Sequence, residues 1–191
     1  MTTTTGGAAN VMSKLEDYLQ TEWPELDVFL TSVTDHYATA SVCGPNAKKI
    51  INKIFKDLDL SDESFPHMSF KEVKLGNINC RIMRISFTGE LSYEINVEAS
   101  YGKYIWEKCI EAGKEFNITP YGTETMHLLR AEKGFIIVGQ DTDGTMTPVD
   151  LQMDWIISKK KYDFIGKRSL YRSDTIRAVS YTHLRAHETH S

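Results

Sequence analysis

The stretch Arg84–Val97, RISFTGELSYEINV, decides the fold. Its second half alternates between polar and apolar side chains, and the apolar ones are Leu91, Tyr93, Ile95 and Val97. This period of two predicts a β-strand with one buried face. The preceding Thr88-Gly89-Glu90 has the composition of a turn, so we expect two strands to meet there. Glu94 then lies in mid-strand on the polar face.

Hairpins and helices alternate on both sides of this strand. KEVKLGNINCRIMRISF predicts a hairpin that turns at Gly76-Asn77, and VFLTSVTDHYATASVC predicts another around a polar break at Asp35-His36. Apolar residues at helical spacing predict four helices. The predicted helices carry Val11–Leu19, the stripe Ile50, Ile51, Ile54, Phe55 and Leu58, the group Tyr104, Ile105, Trp106 and Ile110, and the segment between Pro120 and Gly134.

This order of elements predicts an α+β fold in which helices pack on antiparallel sheets. We expect residues 1–60 to form a first hairpin-helix half and residues 61–172 to form the second. Residues 173–191 have neither an apolar face nor a capping pattern, and we interpret them as a non-native or disordered tail.

Composition excludes several classes of protein. The chain of 191 residues is 41% hydrophobic and has a net charge of −4, with acidic and basic residues interspersed. This favours a folded domain that has no nucleic-acid or membrane partner. The cysteines are far apart and no signal or membrane-spanning segment is present, which predicts a cytoplasmic protein with free thiols. The cysteines are Cys43, Cys80 and Cys109.

We expect no metal site. The DTDGT stretch at 141–145 lacks the glycine and glutamate positions of a calcium loop, and a polar turn explains it more simply. His183, His187 and His190 fall in the suspect tail, at spacings that miss the zinc-protease motif. His127 has no serine or cysteine beside it that would suggest a nucleophile. Taken alone, Glu94 and Arg130 also fit ordinary surface charges.

Longer stretches carry a resemblance to a known family. FTGELSYEI resembles the glutamate-bearing strand of the folate-dependent aminomethyltransferases, and LLRAEKGFIIVGQDTDGTMTP resembles the arginine-bearing block of the same family. TTTTGGAA, TEWPELDVF and FIGKRSL are similar to one branch, the folate domains of sarcosine oxidase alpha subunits. The resemblance covers about residues 2–172 and implies the aminomethyltransferase folate-binding fold, incomplete at both ends.

The resemblance implies tetrahydrofolate as the cofactor. Glu94 matches the glutamate that accepts hydrogen bonds from the pterin amino group and ring N–H, and Glu90 is the fallback. Arg130 matches a folate-contacting arginine, and Tyr93 is a further candidate for folate contact. No catalytic side chain is expected, because the folate nitrogen is the nucleophile and the protein has only to position it and exclude water.

In this branch, sarcosine is oxidised and its one-carbon unit passes to tetrahydrofolate. Flavin and NAD are expected in other parts of the complex, and the beta, gamma and delta subunits are expected partners. The chain resembles an internal piece that would be inactive by itself. Alternatives remain: a glycine-cleavage T-protein, a dimethylglycine or sarcosine dehydrogenase folate domain, or a non-catalytic folate-binding assembly factor. Lys133-Gly134-Phe135 lacks the cysteine of that last class.

Overall fold

A computed structural model describes residues 1–171, which divide into two compact units. The units combine Met1–Ser86 with Glu90–Pro120 and Phe87–Gly89 with the chain from Tyr121 onward. The interpretation of the tail at 173–191, including its histidines, lies outside the described residues. The predicted division after residue 60 falls within the first unit, and as a boundary between halves it stays a prediction.

The first unit is built on one antiparallel sheet. Its strands are β1 (Tyr37–Cys43), β2 (Phe70–Leu75), β3 (Ile78–Met83) and β4 (Ser92–Glu98). They lie in the order β1-β4-β3-β2, so β4 is flanked on both sides. The predicted strand is confirmed, because Tyr93, Ile95 and Val97 are completely buried while Glu94 and Asn96 are partly exposed.

The predicted helices are confirmed as α1 (Ala8–Thr21), α2 (Ala47–Ile54), α3 (Gly102–Gly113) and α4 (Thr123–Glu132), the last in the second unit. Helices α2 and α3 contact each other and the sheet. Their apolar faces and the inner face of the sheet form a core in which a buried aliphatic side chain contributes about 1.5–3 kcal/mol. The α+β class is therefore confirmed.

One predicted hairpin is wrong. Of the stretch from Val28 to Cys43 only Tyr37–Cys43 is a strand, and it pairs with β4. Residues 28–33 have no regular structure, and Phe29 is 91% exposed. Their β-branched side chains favour a strand, but a strand is stable only with a paired neighbour and a buried face. Within the described chain, residues 28–33 have neither.

Two further details differ from the sequence prediction. Strands β3 and β4 pair as predicted, but the longer connection 84–91 replaces a tight turn. Helix α2 ends at Ile54, so Phe55 and Leu58 of its predicted stripe lie beyond the helix, although both side chains are buried. The hairpin at Gly76-Asn77 is confirmed.

The second unit has little regular structure beyond α4. This helix ends before Gly134, whose φ of +73° suits a residue without a side chain. The following chain contains short 3-10 turns at Asp154–Ile156 and Arg168–Tyr171. Across residues 1–171, no helix has the length and apolar composition that crossing a membrane requires.

Candidate functional site

Glu94 lies in the middle of the central strand, on the face turned away from the core. Its neighbours across the sheet are Ser41 on β1 and Met83 on β3. The side chain is half-buried in this position. Strand alternation produces this placement, because the buried Tyr93 and Ile95 on either side direct Glu94 to the opposite face.

The polar residues beside Glu94 are paired, whereas its carboxylate is not. Ser92 shares a hydrogen bond with Ser41 at 3.3 Å, and Thr39 donates to the Asn96 side chain at 2.7 Å. Among residues 1–171, the Glu94 carboxylate has neither a hydrogen bond nor an ion pair. Burial raises the pKa of Glu94 above its ordinary value, with no opposing charge to lower it.

Tyr93 lies on the core face of the same strand. Its side chain is completely buried, with its ring centroid 5.8 Å from that of Phe65. The hydroxyl has no hydrogen-bond partner within the described chain, and burial raises the pKa of Tyr93. The ring therefore supports the sheet, and a folate contact by this side chain stays a prediction without geometric support.

Glu90 lies in the connection 84–91 and is half-buried. The preceding Gly89 has a φ of +79°, a left-handed conformation that favours glycine. A Cβ at Gly89 would come within 2.6 Å of the Lys133 side chain, so glycine is also required for space. These constraints explain the glycine between Thr88 and Glu90, and the fallback role of Glu90 stays a prediction.

Arg130 lies in the last turn of α4, where a cation interacts favourably with the helix dipole. It is only 7% exposed. Its Nη1 donates to the carbonyl of Phe135 at 2.9 Å and to Oδ2 of Asp141, and Nη2 lies 3.4 Å from Oδ1 of Asp141. Its predicted folate contact stays a prediction, and the structure places its donors against the protein itself.

From the sequence, Asp141 was considered only as part of the DTDGT stretch and not as a partner of Arg130. Its carboxylate also accepts a hydrogen bond from the Ile137 N–H at 2.7 Å. Partial burial alone would raise the pKa of Asp141, but the hydrogen bonds from Arg130 and Ile137 outweigh it and the pKa is lowered. Because Arg130 and Asp141 are eleven residues apart across an irregular segment, no helical or strand period could have indicated the pair.

A metal site and an apolar cavity are further candidates to consider in the described chain. Residues 1–171 hold no group of three or more His, Cys, Asp or Glu side chains arranged to bind a metal ion. A cavity of about 750 Å³ in the second unit is lined mainly by apolar residues between Gly144 and Leu170, with Lys161 at its wall. None of the four predicted folate residues lines this cavity.

Comparison with known proteins identifies the family. The profile of the GCVT N-terminal domain matches residues 1–161, so the chain belongs to this family. It is 59% identical over 178 residues to the sarcosine oxidase subunit alpha of Corynebacterium sp. (strain U-96), covering 93% of this chain and 18% of that protein. The chain thus spans less than a fifth of the length of this relative.

Two more distant relatives have other names. An aminomethyltransferase of Thermoanaerobacter sp. (strain X514) is 33% identical over 147 residues, covering 76% of this chain and 39% of that protein. The mitochondrial dimethylglycine dehydrogenase of Homo sapiens is 33% identical over 145 residues, covering 75% of this chain and 17% of that protein. Similarity is therefore higher to the sarcosine oxidase subunit than to either of these proteins.

Proposed function

We propose that this chain is the tetrahydrofolate-binding segment of a sarcosine oxidase alpha subunit. The unpaired, half-buried carboxylate of Glu94 is the observation that carries the folate assignment. The oxidase context is supported by 59% identity to an alpha subunit, against 33% to the aminomethyltransferase and to the dimethylglycine dehydrogenase.

The chemistry of Glu94 fits a reduced pterin ring. The ring presents an amino group and an N–H side by side, and an ionised carboxylate can accept both hydrogen bonds at once. Partial burial of a carboxylate without a hydrogen-bond partner is unfavourable, and a ligand that donates two hydrogen bonds would offset that penalty. Glu90 would take this role if Glu94 does not.

The expected reaction is the oxidative demethylation of sarcosine to glycine. Bound tetrahydrofolate would supply the acceptor for the one-carbon unit. The protein side of the task is to hold the pterin through Glu94 and to keep water away from the transfer. Flavin and NAD would be bound elsewhere in a cytoplasmic complex with beta, gamma and delta subunits, so the chain alone should not oxidise sarcosine.

A calorimetric titration of tetrahydrofolate into the 191-residue chain tests the assignment. A hydrogen bond to a charged acceptor contributes about 1.5–3 kcal/mol. Because Glu94→Gln replaces one of the two acceptor oxygens with an amide donor, it should weaken binding about ten- to a hundredfold. Glu98→Gln is the matched control, since Glu98 lies on the same face of β4 but at its exposed end.

The control variant should bind as tightly as the unsubstituted chain. Equal affinities for Glu94→Gln and Glu98→Gln would remove Glu94 from the site and leave Glu90 as the carboxylate to test next. If the unsubstituted chain does not bind tetrahydrofolate at all, the proposal that this segment binds folate is wrong.

A further inference from the structure

The guanidinium of Arg130 donates its hydrogen bonds to other groups of the same chain. Nη1 is shared between the Phe135 carbonyl and the Asp141 carboxylate, and Nη2 faces the second oxygen of Asp141. Nε is buried and has no acceptor within residues 1–171. The Arg130 side chain is only 9% exposed, so its donors are largely withheld from a ligand unless the Asp141 pair opens.

The segment from Phe135 to Asp141 is tied to Arg130 at three points. The Phe135 carbonyl accepts from Arg130, the Phe135 N–H donates to the Arg130 carbonyl at 2.9 Å, and Asp141 joins Arg130 to the Ile137 N–H. Phe135 is 48% and Val138 is 82% exposed, whereas Ile136 and Ile137 are partly buried. The three polar contacts to Arg130 therefore act beside limited apolar burial as restraints on this segment.

We propose that Arg130 and Asp141 form an internal clamp that fixes residues 135–141, and that Arg130 is a positioning residue with no direct folate contact. The part of this inference that concerns folate rests on the proposed function. Any effect of Arg130 on folate affinity then passes through Asp141. The Asp141 carboxylate neutralises the guanidinium, and a folate carboxylate would have to displace it to bind there.

Hydrogen exchange at the Ile137 amide tests the clamp without any ligand. The variants are Arg130→Met and Asp141→Asn in the full chain, measured by NMR. A charge-assisted hydrogen bond at this amide corresponds to about a ten- to a hundredfold slowing of exchange, so both variants should exchange faster by about that factor. If the Ile137 amide keeps its protection in both variants, the clamp is wrong.

Two controls distinguish a local effect at Ile137 from a general loss of structure. The Ile95 amide in β4 should keep its protection in every variant, since it belongs to the other compact unit. Glu132→Gln removes an exposed carboxylate two residues from Arg130 and should leave Ile137 unchanged. If both single variants fail to fold, the double variant Arg130→Met with Asp141→Asn leaves no buried unpaired charge and carries the same test.

Folate affinity separates positioning from contact. If Arg130 acts through the clamp, the two single variants weaken tetrahydrofolate binding by the same factor, and the double variant weakens it no further. A loss in Arg130→Met that is about tenfold or more beyond that in Asp141→Asn would show direct contact and overturn the positioning role. Absence of folate binding by the unsubstituted chain would contradict the proposed function alone, because the Ile137 measurement still decides whether the clamp exists.

Discussion

At the scale of single residues, the half-buried Glu94 carboxylate makes an unfavourable contribution to the stability of the fold. Glu94 has a raised pKa because burial disfavours its charged form. A group of this kind stabilises the folded chain below its ordinary pKa and loses that contribution as the pH rises through the higher folded value. At neutral pH the ionised Glu94 therefore opposes folding of the unliganded chain, which is expected of a residue kept for a ligand.

The same residue gives a stability prediction that is independent of folate. Glu94→Gln should raise the melting temperature of the unliganded chain at about pH 7, and the gain should vanish at about pH 3.5, where the glutamate is protonated. Thermal unfolding followed by circular dichroism at both pH values measures this difference. Glu98→Gln again serves as the control. A melting temperature lowered by Glu94→Gln at neutral pH would mean that the carboxylate has a stabilising partner.

At the scale of elements, the sequence correctly predicted the helices and strands that meet two requirements. Each has an apolar period of its own, and each packs against a neighbouring element. Strand β4 and helix α2 have a strong apolar period and bury their apolar residues in the core, so both were predicted. Residues 28–33 satisfy only the local requirement, and no strand forms there. In the site, the position of Glu94 followed from strand alternation, whereas the Arg130–Asp141 pair depends on the path of an irregular segment that no period encodes.

The end of helix α3 provides a test of packing at this scale. Gly113 is buried, and a Cβ there would lie 2.6 Å from two side-chain carbons of Ile118. Although alanine favours a helix over glycine, overpacking should dominate, and Gly113→Ala should destabilise the chain by about 1–3 kcal/mol in urea unfolding. Gly6→Ala, where a Cβ meets nothing within 4 Å, should have little effect. An unchanged midpoint for Gly113→Ala would show that Ile118 moves aside freely.

At the scale of the whole molecule, stability is distributed unevenly. Nearly all the buried apolar residues belong to the first unit, and the second unit contributes Leu151 to that set. Hydrophobic burial is the main favourable term in folding, so the first unit should resist opening more strongly than the second. The second unit depends instead on polar contacts such as the clamp at Arg130.

This imbalance predicts the order of proteolysis. Trypsin should cleave the 191-residue chain at Lys159–Lys161, which are exposed and lie outside helices and strands, before it cleaves at Arg81 in β3. Mass spectrometry of fragments sampled over time gives the order directly. Chymotrypsin provides an independent comparison, since Trp155 is 73% exposed and Tyr93 is completely buried. Early cleavage at Arg81 and Tyr93 by the two proteases would mean that the sheet opens as readily as the second unit, and that the buried core is not the dominant source of stability.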